Sequence, residues 1–342
     1  MVKVEYHPDL KEVQRDARLA AVLSPAEQHA PFDRLDWWQG LAAHCGLSPR
    51  LAVAREGDDV AVLPLTRSDG HPQALTNWYT FRFRPVFSEG ANREALLTAL
   101  ASDLAERCRR VTLSGVPDED GSATAIQRAF EQAGWAVSRE TCDTNHVLPV
   151  AGRSYEEYQA SLPGKLRTTL KRKTRKVATR VLTHFDAGVW QDYEDIYAES
   201  WKPEEGSPAF LRAFAESEGA AGRLRLAVAH AADGNYDGKA IAAQMWTVEG
   251  ETAWIHKLAH REEAKPLSPG SVLSAALFRH VIDEDKVDLI DFGTGDDPYK
   301  RDWMEQARPR YRLDMMRLQD PRNWLIFAKS GLRRLAGRAK HG

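Results

Sequence analysis

"AWIHKLAHREEAKPLSPGSVLSAALFRHVIDEDKVDLIDFGTGDDPYK", residues 253–300, reads as a strand, a loop, a helix and a second strand closed by a glycine turn. Along the first strand, alternation puts Trp254, His256 and Leu258 on one face and Ile255, Lys257 and Ala259 on the other. Ser268, Pro269 and Gly270 stand directly before a segment whose apolar residues recur at helical spacing. Ser caps a helix, Pro presets φ, and Gly lets a ligand approach the backbone, so the unpaired first-turn N–H groups suit a phosphate. The same tripeptide is also an ordinary helix entry. After the second strand, Asp291, Asp296, Asp297, Tyr299, Lys300 and Arg301 crowd around Gly293 and Gly295. Turn chemistry alone accounts for such a composition, so the neighbouring segments must decide.

Upstream, "RLRLAVAHAA" and "KAIAAQMWTVEG" form two strands joined by a "DGNYDG" turn, preceded by helices around "VWQDYEDIYAESWK" and "PAFLRAFAESEG". Before these, "KLRTTLKRKTRKVATR" (165–180) holds eight basic residues and no acidic one. Read as a single helix it aligns Leu166, Leu170, Val177 and Val181 in one stripe and leaves the other faces basic. Its charges cannot pair with each other, which points to phosphate, phospholipid or nucleic acid. A strand at "RVLTHFD" follows. Residues 1–150 repeat a loosely similar order: a helix near 32–45, two strands across an "EGDD" turn, a helix at 93–108, a strand, a helix and a final strand. The expected class is α/β with mixed sheets, and the expected segmentation is 1–148, 149–320 and a tail at 321–342.

With 342 residues, 43% hydrophobic and 28% charged, the chain is long enough for two packed domains and too apolar for disorder. Cys45, Cys108 and Cys142 form no CxxC pair, which argues against a zinc knuckle or a disulfide framework. "MVKVEYHPDL" has no apolar leader core and nowhere do 18 apolar residues run together, so a cytoplasmic protein is expected. Residues 1–150 carry 16 Lys+Arg against 21 Asp+Glu, so the basic balance lies in the remainder, where an anionic ligand is expected. His256 and His260 are four apart, but a zinc-protease helix needs Glu directly after the first His and here Lys257 stands there; no metal is expected. An imidazole titrates near about 6.5, which makes His256 a candidate general base.

Four motifs taken in order, "ESWKP" (199–203), "WIHKLAH" (254–260), "LSPGSVL" (267–273) and "DFGTGDDPYKRDWM" (291–304), resemble the CelD-like branch of the GNAT acyltransferases, relatives of FemAB. The resemblance covers mainly residues 150–315, and "TNWYTFRFRPVF" (76–87) is similar to the first half of such proteins. It implies two GNAT-like domains in tandem, the first degenerate and the second catalytic, with acyl-CoA as co-substrate and no permanently bound cofactor. It further implies direct attack of a primary amine on a thioester, with His256, Asp291 and Tyr299 as the catalytic candidates. The backbone of residues 256–259 is expected to hold the thioester carbonyl. Donor contacts are expected from Lys257, Lys265, Ser268, Gly270, Ser271 and Lys300, with Arg167 and Lys171 of the basic helix. "KPLSPG" departs from the better-known GNAT phosphate loop in having a single glycine, which leaves carrier-protein or aminoacyl-tRNA donors open.

The tail "RNWLIFAKSGLRRLAGRAKHG" (322–342) places Trp324, Ala328, Leu332 and Leu335 on one helical face among basic residues and has no acid, the pattern of a helix lying on an anionic bilayer. An amphiphilic acceptor follows as an expectation, in its most specific form a sphingoid base acylated to ceramide at the inner face of a membrane. The alternatives are acylation of a cell-surface polysaccharide precursor, aminoacyl-tRNA-dependent transfer of the FemAB kind, and a non-catalytic module for membrane or nucleic acid.

Overall fold

The computed structural model describes residues 1–200 and 202–320; the tail helix expected over 321–342 lies outside them. Two compact units result: residues 1–144 joined by the chain that returns from Arg308, and residues 145–307. Both are α/β, each with helices packed on a mixed sheet.

The first unit orders its elements as β1 (Lys3–His7), α1 (Leu10–Arg15), α2 (Ala17–Val22), α3 (Leu35–His44), β2 (Arg50–Glu56), β3 (Asp59–Ser68), β4 (His71–Ala74), β5 (Val86–Phe87), α4 (Arg93–Arg107), β6 (Arg110–Val116), α5 (Ser122–Gln132) and the start of β7 (Ala136–Pro149). Strands β1 to β4 pair antiparallel in succession, and β4 meets β6 in parallel. Helix α4 buries Leu96, Leu97, Leu100, Ala101 and Leu104, spaced by threes and fours, in the same core as Ile126 and Phe130 of α5. Each such leucine contributes about 1.5–3 kcal/mol of transfer free energy. The first 22 residues, read above only for their lack of a leader, form three elements, with Asp9 and Asp16 capping α1 and α2 through Lys11 N and Leu19 N.

The second unit continues with α6 (Tyr155–Ser161), α7 (Gly164–Lys173), β8 (Val177–Leu182), α8 (Ala187–Ala198), α9 (Pro208–Ala220), β9 (Leu224–Ala231), β10 (Ala240–Glu249), β11 (Thr252–His260), α10 (Pro269–Arg279), β12 (Leu289–Thr294) and α11 (Pro298–Arg301), and leads into β13 (Gln306–Met316). Its sheet runs β7-β12-β11-β10-β9-β8, antiparallel except for β11 beside β12. Helices α6, α7 and α10 share one core on one face, built around Tyr158, Phe278 and Trp303 with Phe278 stacked between the other two rings at 5.3 and 4.9 Å. Helices α8 and α9 pack elsewhere on β9, β10 and β11. At Gly219 of α9 an added Cβ would stand 2.6 Å from Phe185 N, so only glycine permits that approach.

The basic segment is not one helix. It is helical to Lys173, turns through a 3-10 segment, and enters β8 at Val177, paired with β9. Val177 and Val181 are therefore strand residues, as their β-branching favours, and the four-residue stripe read from the sequence breaks at Leu170.

Candidate active site

Strands β11 and β12 run side by side only from Thr252 to Trp254 and Leu289 to Asp291. Beyond that, β12 continues against β7, with Thr294 opposite Asn145, and β11 continues against β10. A cavity of about 450 Å³ lies here, lined by Leu258 and His260 of β11, Phe292 of β12, Tyr299, and Gly270 and Ser271 of α10. Topology creates the opening: two parallel neighbours separate where the helix connecting them begins.

The entry to α10 is built for exposure of its N–H groups. Ser268 sits at the N-cap with φ 52° and its side chain makes no capping bond. The following Pro has no N–H, which leaves Gly270 and Ser271 as first-turn donors that no helical carbonyl can reach. The turn is fixed from below: fully buried Gln244 donates Nε2 to Gly270 O at 3.0 Å and to Ser274 Oγ at 2.8 Å, and receives Trp246 Nε1 at 2.9 Å. A Cβ at position 270 would meet His260 Cδ2 at 3.4 Å, tight enough that the glycine shapes the mouth of the cavity.

A β-bulge corrects the face assignment of β11. Lys257 pairs with Met245 and Ile255 with Trp246, so His256 is the extra residue. The alternation therefore reverses: Ile255 and Leu258 both join the core of α10. His256 instead shares a 2.8 Å hydrogen bond between its Nε2 and Thr247 Oγ1, and its ring meets Phe214 of α9 edge-on at 5.1 Å. Lys257 donates Nζ to Glu205 at 2.8 Å and lies 5.4 Å from the Tyr197 ring. Burial lowers its pKa, with Glu205 opposing. Lys257 thus stands with Glu205 rather than at the α10 entry where a donor contact was expected.

Nearby, Lys202 lies 5.9 Å over the Tyr197 ring. Loss of water, and then the charge of Lys257, pull its amine down to about 8. Burial and the Glu205 carboxylate push Tyr197 up to about 12. Lys202, Glu205 and Tyr197 were not singled out from the sequence. The quoted "ESWKP" contained Lys202, but only the fold brings it beside Lys257. The same motif is tied to the end of β11 by an ion pair between Glu199 and Arg261.

The charged residues between 291 and 301 have largely structural roles. Gly293 and Gly295 adopt φ 71° and 95°, making the turn. Asp291, 3% exposed, accepts Gly293 N at 2.7 Å and Asn145 Nδ2 at 3.0 Å, which commits its oxygens to holding the end of β12. Lys300 is buried and donates its ammonium to the carbonyls of Thr294 and Gly293. Asp296 receives Arg301 and, at 3.1 Å, His146 Nε2. Asp291 and Lys300 thus brace the turn, which departs from their expected catalytic and phosphate-binding roles. The product of this bracing is Tyr299, packed edge-on against Phe292 at 5.6 Å and still 39% exposed at the cavity. Loss of water around its hydroxyl, and then Asp297, raise its pKa, so it stays protonated.

Lys265, Gly270 and Ser271 line this one cavity, Ser268 occupies the N-cap position of the adjoining helix without a capping bond, and exposed Lys265 stands 3.6 Å from Glu262. Arg167 and Lys171 do not join them; they line a second cavity of about 690 Å³ with Arg279, between α6, α7 and α10. His260, set aside above with the metal reading, is the histidine that lines the first cavity.

Comparison with known proteins agrees with this geometry. The family described as acetyltransferase (GNAT) domain matches residues 164–301. Among curated proteins none matches the chain in sequence. Solved structures that share the fold include FemX (TM-score 0.63, 13% identity, 94% of this chain and 100% of that one). Another is the C-terminal domain of a putative lysylphosphatidylglycerol synthetase from Agrobacterium fabrum (0.60, 13%, 94% and 97%). A third is a tandem GNAT protein from the clavulanic acid biosynthesis pathway (0.51, 14%, 91% and 98%). Residues 164–301 thus match an acetyltransferase (GNAT) domain, which supports an acyltransferase activity for the second unit, in a fold that the chain shares with a tandem GNAT protein.

Proposed function

We propose that the second unit transfers an acyl group from acyl-CoA to a primary amine by direct attack, without a covalent enzyme intermediate. The observation that carries this reading is the divergence of β11 from β12 beside an uncapped helix entry. The N–H groups of Gly270 and Ser271, with Lys265 at the rim, suit the pyrophosphate of the donor. The bulge at His256 interrupts the regular ladder of β11, and the strand backbone there is the proposed partner of the thioester oxygen.

The amine nitrogen attacks the thioester carbon, His256 takes the amine proton, and the C–S bond breaks as Tyr299 donates a hydrogen bond to the departing sulfur. Lys202 and Lys257 facing one carboxylate, Glu205, make a cationic neighbourhood that lowers the pKa of an incoming amine and favours its neutral, nucleophilic form. Leu166, Leu258, Phe292 and Trp303 give the donor cavity an apolar wall larger than an acetyl group needs, which supports a long acyl chain and, with it, a sphingoid base as acceptor.

Thiol release from acetyl-CoA and palmitoyl-CoA, each with and without a sphingoid base, tests the reading. Base-dependent release from the long donor is expected; release from neither donor by folded protein would sink it. A second reading, aminoacyl transfer, draws support from two fold neighbours, the synthetase domain already described and L-PGS from Bacillus licheniformis (TM-score 0.50, 13% identity). A charged tRNA offered in place of acyl-CoA separates the two.

A further inference from the structure

The first unit gathers five arginines around one cavity of about 700 Å³, all from residues 1–150, where acids outnumber bases. Arg50 opens β2, Arg67 lies near the end of β3, Arg107 ends α4, and Arg109 and Arg110 lead into β6. These termini fall at one end of the sheet because Arg50 stands opposite Leu65 and Arg67 opposite Pro72 in the register. Two of the guanidiniums are held in place: Arg107 by Asp103, and Arg110 by Asp314 at 2.8 Å. Arg110 Nε is buried without a hydrogen-bond acceptor. Tyr6 lies between Arg50 and Arg107, 5.3 and 4.7 Å from its ring centre. Asp69 and Asp320 also line the cavity, but among the described residues no carboxylate stands within ion-pair distance of Arg50 or Arg67.

Two exposed guanidiniums outside any ion pair, beside Arg107 and Arg110 held by the fold, repel one another. A phosphate removes that cost, since the planar fork of arginine matches its oxygens two at a time. His71, in the same wall, is tied to Thr112 Oγ1 at 2.9 Å, and burial lowers its pKa, so it adds shape rather than charge. Leu65, Leu104 and Pro72 supply apolar wall beside the arginines.

We infer that this cavity is a phosphate-binding site of the first unit, separate in kind from the donor site of the second, with Arg50 and Arg67 as the contacts that make it. The ligand is a phosphate ester, free in solution or carried as the headgroup of an acidic phospholipid.

The test uses the full-length chain, with pyrophosphate in solution and phosphatidylcholine vesicles with and without phosphatidic acid as the two ligands. The parent is expected to bind at least one. The titrations are repeated in the Ser271→Glu background, where the donor site is weakened, and there Arg50→Ala/Arg67→Ala is expected to lose about tenfold or more of the remaining affinity. Pyrophosphate binding identifies a soluble phosphate ester; binding only of vesicles that contain phosphatidic acid identifies a lipid headgroup. Arg50→Lys/Arg67→Lys keeps the charge but not the fork, guards against misfolding, and is expected to bind more weakly than the parent with an unchanged melting temperature. No binding of either ligand by the parent, no binding left in the Ser271→Glu protein, or full retention when the Ala double change is added to it would overturn the assignment.

Discussion

Helix α4 in the first unit and helix α10 in the second follow the same course, each lying between two strands that pair in parallel. Their first turns differ. Asn92 caps α4 with its side chain on Ala95 N at 3.2 Å, and Glu94 adds a negative charge to the first turn. Ser268 makes no such bond at α10, and no acid stands in that first turn. An anion would be repelled at α4 and finds exposed N–H groups at α10. The strands differ too: β11 has nine residues and a bulge at His256, whereas β4 has four. The order of elements is alike in the two units, and a few residues at one helix entry and one strand set them apart.

The contrast is broken most severely at the bulge. His256→Ala is expected to lower kcat about 100-fold, and Tyr299→Phe about tenfold, with KM for the donor little changed; steady-state thiol release measures both. A His256 variant with full turnover would remove that residue from the mechanism. Next in size, Gly270→Val places methyl groups against His260 and is expected to raise KM for acyl-CoA by roughly tenfold or more while the protein stays folded by circular dichroism.

A third change acts on stability. Because the Lys202 amine is held down to about 8 from 10.5, the unfolded chain binds its proton more tightly. The destabilisation is complete below pH 8 and is relieved as pH rises through the interval to 10.5, with a slope of up to about 1.4 kcal/mol per pH unit. Lys202→Met should abolish that slope, read as the difference between variant and parent in urea unfolding. The smallest effect is expected in the first unit: Asn92→Ala costs about 1 kcal/mol of stability through the lost cap and leaves thiol release unchanged. A fall in activity there would erase the distinction drawn between the two helices.

Most of the strand and helix order was legible because its signals are local: alternation in "VDLIDFG", the "DGNYDG" turn, and the Ser268-Pro269-Gly270 entry. Three things were not. The bulge at His256 depends on how β11 registers against β10, which alternation within one strand cannot report. The basic segment looked helical to Arg180 because charge hides the point where Val177 turns to β pairing. Lys300 and Asp291 looked chemical because they are charged, but only the folded turn shows their hydrogen-bonding capacity spent on backbone and Asn145. Tyr299, Gly270 and Ser271 line one cavity, while Lys202 and Glu205 come together only through the packing of the loop that follows α8.

The central claim is that the uncapped entry of α10 receives the donor's phosphates. Calorimetric titration of CoA into the parent chain and into Ser271→Glu, which gives α10 the kind of first-turn charge that α4 already has, tests it most directly. The account predicts saturable binding by the parent, weakened about tenfold or more in the variant. Equal binding by the two proteins, or none by the parent, would contradict it.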